Sequence, residues 1–285
     1  MMAELSPIAR RGLLAAYLVL VTALFLYLGF PSDALRQHAA RRISAALPGL
    51  TVTVGGVRPS LPAGLELTGV RIARADTPLA VIDRLTVRPE LLSLLQSNSV
   101  YRFDGTTGGG EISGRTEVDS AAATPRIRMN AQLGGMQLQQ VPALRNVYGS
   151  RVSGRLDGNI ALSEAGALSG KLSVIEAQVE LPTPVFEQTR FSFKTADADI
   201  QLQNRNLTVR NGRLRGTELD AEVSGTISLD PAQAARGVNL VGRVTPHPAF
   251  LAKTEGSLPA NLLRRRAAIP FRVSGPLDAP GFSLN

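Results

Sequence analysis

The stretch FDGTTGGGEISG, Phe103 to Gly114, holds five glycines in twelve residues and invites a phosphate-binding reading. A P-loop needs Lys and Ser or Thr after its last glycine, and a helix whose N-terminus faces the anion. Here Glu111 and Ile112 follow Gly110, so no ammonium group is supplied and a carboxylate would repel the ligand. Dinucleotide-loop spacing fails as well, because Ser113 stands three residues after Gly110. EISGRTEVD alternates as a strand does, so the glycines read as a turn or a bulge. Asp197 and Asp199 form D-x-D, a pattern that holds Mg²⁺ in some enzymes. On a strand they share one face, opposite Ile200 and Leu202, and a solvated strand face explains them. The two histidines, His38 and His247, have no metal-ligand partner at useful spacing and read as surface or capping residues. There is no G-x-S-x-G elbow, so the repeated Ser-Gly pairs are not hydrolase nucleophiles. With no Cys, thiol catalysis, disulfides and Cys-ligated metals are excluded. No catalytic, cofactor-binding or metal set emerges, and the chain reads as a structural or binding protein rather than an enzyme.

The chain has 285 residues and a net charge of +8, with only three Lys among 31 bases. The bases are spread out, and the one dense run is Arg264-Arg265-Arg266. Nucleic-acid binding pairs a basic stripe with a reading element or stacking aromatics. Aromatics are 5% of residues and Trp is absent, so nucleic acid is not expected as a partner. A solvated basic face, or one turned to anionic lipid, fits better. The 27 glycines suit many strands and tight turns.

These polar residues need positioning elements, and the first element is apolar. Gly12 to Phe30 contains no charge. As a helix its 19 residues span roughly 28 Å, close to the bilayer's hydrocarbon thickness. Arg10 and Arg11 precede it and predict a cytoplasmic N-terminus over residues 1–11, while Tyr27 and Phe30 suit the far interface. A cleaved signal peptide would have a shorter apolar core and a small-x-small site, and PSDALRQ offers no such site. An uncleaved anchor over 12–30 is therefore expected. Pro31 ends it, and Ser32 or Asp33 caps a short amphipathic helix within 31–49. Leu35, Ala39, Ile43 and Leu47 form its apolar face. Pro48-Gly49 terminates it.

From residue 50 to 285 the periodicity changes to two. LTVTVGGV, GLELTGVRI and LAVIDRLTV alternate, which puts apolar side chains on one sheet face. ELLSLLQ, 90–96, breaks the pattern and reads as a short helix or apolar turn. Residues 197–230 predict about four strands, with a turn at Asn204 to Asn206 and a hairpin at Asn211-Gly212, the strongest short hairpin signal. The phrase apolar-Ser-Gly recurs at ISG (112–114), VSG (152–154), LSG (168–170), VSG (223–225) and VSG (273–275). It reads as a strand junction with a glycine kink in a long twisted sheet. The expected fold is mainly β: a transmembrane helix and a short amphipathic helix, then a long, mostly antiparallel sheet.

Several segments in this order resemble the type II secretion system protein N family of the AsmA-like superfamily. They are the anchor ending in GFPSDALR (29–36), the helix after it, VRPSLPAGLELTGVRI (57–72), LTVRPELLSLLQ (85–96), the glycine-rich FDGTTGGGEISG and the closing IPFRVSGPLDAPGFSLN (269–285). The resemblance implies a single-pass inner-membrane protein of a Gram-negative envelope with a periplasmic β-rich domain. That domain would be a curved AsmA-like groove or open barrel. It also implies an accessory role in protein export, with other type II secretion subunits as partners. As an alternative, it implies a groove that binds or transfers the acyl chains of phospholipid. The chain is far shorter than bridge-type relatives and cannot span an envelope by itself.

Overall fold

The computed structural model describes residues 17, 36, 37, 41, 51–61, 63–74, 77–96, 98–119, 126–144, 151–185, 188–230, 237–248, 250, 268–276 and 280–284. The expected anchor at 12–30 lies outside them except for Tyr17, as do Arg10, Arg11, Tyr27, Phe30 and His38. No helix among the described residues is long and apolar enough to cross a membrane. Within the expected amphipathic helix, Arg36, Gln37 and Arg41 are helical.

Among the described residues, nearly everything else belongs to one sheet. Its fifteen strands are β1 (Thr51–Thr53), β2 (Gly56–Ser60), β3 (Gly64–Arg74), β4 (Thr77–Pro89), β5 (Asn98–Thr107), β6 (Gly110–Asp119), β7 (Arg126–Gln137), β8 (Arg151–Leu162), β9 (Leu168–Val185), β10 (Gln188–Gln203), β11 (Asn206–Gly216), β12 (Leu219–Ser228), β13 (Val238–Pro246), β14 (Ile269–Gly275) and β15 (Gly281–Leu284). From β3 onward each strand pairs antiparallel with the next in sequence, a meander that does not close on itself. β1 and β2 pair with the same edge of β3. They behave as one strand broken at Gly55, whose N–H reaches the carbonyls of Thr68 and Gly69 at 3.0 and 3.3 Å.

The turns explain where the glycines go. Gly108 and Gly109 join β5 to β6 with φ of 56° and 71°, a two-residue turn that only residues tolerant of positive φ make cheaply. The phosphate-like stretch is thus a hairpin. Asn204 and Arg205, φ 49° and 64°, form the equivalent turn between β10 and β11.

Asn211-Gly212 is not a hairpin. Asn211 adopts φ 51° inside β11, and the ladder to β12 slips by one residue between Val209 and Gly212. Asn211 is the extra residue of a bulge, so residues 197–230 hold three strands rather than four. The Ser-Gly phrases lie within strands or at a strand end, not at strand junctions. Gly154, Gly225 and Gly275 have φ of 139°, 144° and 124°, so the kink is present in these three without ending pairing at Gly225. ELLSLLQ contains a 3-10 helix, Leu91–Leu95, and another, Pro142–Leu144, follows β7.

Two patches are well packed. Val52, Val54, Val57, Leu67 and Val70 form one around β1 to β3. Ala177, Phe191, Phe193, Leu219 and Phe250 form the other across β9 to β12. Phe250, 2% exposed, closes it from just beyond β13.

Candidate functional site

Alternation along each strand sends one set of side chains to each face. Register aligns these sets across strands. One row begins Pro59, Leu65, Val87 and Phe103 on β2 to β5. It continues Gly114, Ala131, Ile160 and Gly170 on β6 to β9. It ends Ile200, Val209, Gly225, Leu240, Val273 and Phe282 on β10 to β15. No member is polar. At about 4.8 Å per strand spacing the row runs roughly 60 Å. A second row, Leu67, Leu85, Gly105, Ile112, Leu133, Gly158, Leu172 and Ala198, lies beside it over β3 to β10 and is apolar throughout.

The first row is only partly shielded. Apart from Ala131 every member is half-buried or exposed, and no second sheet exists among the described residues to cover it. A closed sandwich buries such residues almost fully. This face instead presents partly wetted apolar surface on a sheet that does not close.

Glycines adjust its relief. A Cβ on Gly114 would stand 2.2 Å from the Asn130 carbonyl and 2.5 Å from Cζ of Phe103. One on Gly242 would stand 2.6 Å from Cζ of Phe271. In both places a ring on the neighbouring strand lies over the bare backbone.

The other face is polar. Asp197 and Asp199 stand there, opposite Ile200 and Leu202. Ser173 donates to Asp197 at 2.6 Å and Asn211 donates to Asp199 at 3.0 Å. Among the described residues no group of three His, Cys, Asp or Glu comes together as a metal site. An open depression of about 860 Å³ crosses β6 to β11 on this face, walled by Asn130, Asn159, Lys171, Asp199, Gln201 and Arg210. Arg102 and Arg115 face each other across β5 and β6, a repulsive pair if left alone. Glu90 lies between them, 2.7 Å from Arg102 and 3.6 Å from Arg115. The hydrogen bond from Arg102 holds the Glu90 carboxyl below its ordinary pKa, against a smaller upward push from desolvation and with the charges of both arginines assisting. Further exposed pairs run Arg115–Glu117–Arg128–Glu164.

His247 locks the far end of the sheet. Its Nδ1 lies 3.2 Å from the Thr217 carbonyl and its Nε2 lies 3.2 Å from Asp220. It ties the β11–β12 turn to the end of β13, a structural position. Sequence reasoning singled out Asp197, Asp199 and His247, and the structure does not bring them together. It overlooked Ser93, whose neighbours in LLSLL are all leucine; a lone hydroxyl in an apolar run is the only sequence signal for it. Searches against protein-family models, curated proteins and solved structures find no match to this chain.

Proposed function

We propose that this chain is a membrane-anchored, non-enzymatic accessory component of type II secretion, acting through surfaces rather than through an active site. The observation that carries the reading is the apolar row of fourteen strand positions on an open sheet, a surface built to be covered. The resemblance of the anchor, VRPSLPAGLELTGVRI and the closing strand phrase to protein N supplies the machine. In this reading the anchor holds the chain in the inner membrane and the sheet lies in the periplasm, beside other secretion subunits.

A second reading has its own support. The row is half-exposed along most of its length, and aliphatic chains need no directional partner. The face therefore suits the acyl chains of phospholipid as well as a protein. A strain lacking the gene separates the two. Secreted enzymes held in the periplasm, with the outer-membrane barrier to a large antibiotic intact, uphold the secretion role. Normal secretion with a leaking barrier transfers the function to lipid handling.

A further inference from the structure

The 3-10 helix Leu91–Leu95 is inside out. Its serine is buried, at 6% exposure, while Leu91, Leu92 and Leu95 are 60, 80 and 87% exposed. Ser93 Oγ donates to the Glu90 carbonyl at 2.6 Å and accepts from the Val100 N–H at 2.8 Å. Glu90 N–H donates to the Val100 carbonyl at 2.8 Å, and the Glu90 carboxylate is gripped by Arg102. The helix is thus pinned by polar bonds with Leu91, Leu92 and Leu95 held outward. Leu61, 72% exposed, sits in the β2–β3 turn at the same end of the sheet, since Gly64 lies against Val87 and Arg88. Scattered exposed leucines need no explanation, but four at one sheet end, three of them on a fixed scaffold, do.

We propose that this leucine knuckle docks into the interface of the bilayer that holds the anchor. Two observations choose lipid over a protein pocket. The knuckle carries no aromatic or charged group, whereas protein hot spots favour Trp, Tyr and Arg and under-use Leu. The second is reach. Arg36 Nη1 lies 3.5 Å from the Gly55 carbonyl, midway along the β1–β2 edge. Five residues, 31–35, separate Arg36 from the expected end of the anchor at Phe30. Even fully extended they span roughly 20 Å, so on the anchor reading the β1–β2 edge, which leads into Leu61, stays close to the bilayer.

The inference rests on the anchor reading, and the test separates the two. The chain has no Cys, so Leu92→Cys in the full-length protein takes a single environment-sensitive fluorophore, with Asn239→Cys on the polar face as control. Each is reconstituted into phosphatidylethanolamine–phosphatidylglycerol vesicles, with or without doxyl-labelled lipid. Retention of the chain in alkaline carbonate tests the anchor first, and release there removes both the anchor and its bilayer as the occupant. With the chain retained, the label at 92 is expected to shift to the blue and lose most of its emission to doxyl lipid, while that at 239 does neither. A label at 92 that doxyl lipid does not quench overturns the proposal. An aqueous spectrum then leaves the knuckle undocked, and a shielded one places it against a second copy of the chain.

Discussion

Gly114 shows how much a single position contributes to this sheet. It pairs with Phe103 on one side and Ala131 on the other, and a Cβ there meets a carbonyl oxygen and a ring edge. Gly114→Val is expected to destabilise by about 1–3 kcal/mol, the usual range for overpacking. Gly134 is the contrast: nothing lies within 4 Å of its Cβ position. Gly134→Ala should be neutral or gain roughly 0.4–1 kcal/mol by restricting the unfolded chain. Urea midpoints of the two variants check this, and equal midpoints would remove the steric account. The sequence argued against a phosphate loop for the glycines of 103–114, because Glu111 follows Gly110. Which of them tolerate a side chain was not legible, because that depends on the strand lying opposite.

The 3-10 helix is where local pattern and packing part. LLSLL reads as an apolar turn, and ordinary reasoning buries its leucines. The structure buries Ser93, because that hydroxyl satisfies the Val100 N–H and the Glu90 carbonyl at once. Ser93→Ala leaves the Val100 N–H without its hydroxyl partner, at an expected cost of about 1–3 kcal/mol. Leu92→Ser, at an exposed position, should stay within about 0.5 kcal/mol of wild type. Amide exchange at Val100 reads the difference: unchanged protection in Ser93→Ala would show that the serine does not hold this element. β11 teaches the same lesson. Asn-Gly is a strong turn signal, yet Asn211 spends its positive φ on a bulge, because the adjacent Asn204-Arg205 turn already reverses the chain and β12 pairs on past the bulge to Asp220.

At the scale of the whole molecule, the charge asymmetry around residues 12–30 predicts orientation. Alkaline phosphatase fused after Asn285 should be active, and Arg10→Glu with Arg11→Glu should lower that activity by weakening cytoplasmic retention of the N-terminus. An inactive wild-type fusion would reverse the topology. The sheet itself follows from the sequence in kind. Two-residue alternation is a local property of the chain, so an antiparallel, one-face-apolar β structure could be read from residues 50–285 directly. Tertiary structure decided the rest. Whether the sheet is an open surface or a sealed sandwich, which residues fall into one transverse apolar row, and that a serine is buried where leucines are not, all depend on register. Register is set by bulges and by the partner strand, information that no single segment carries.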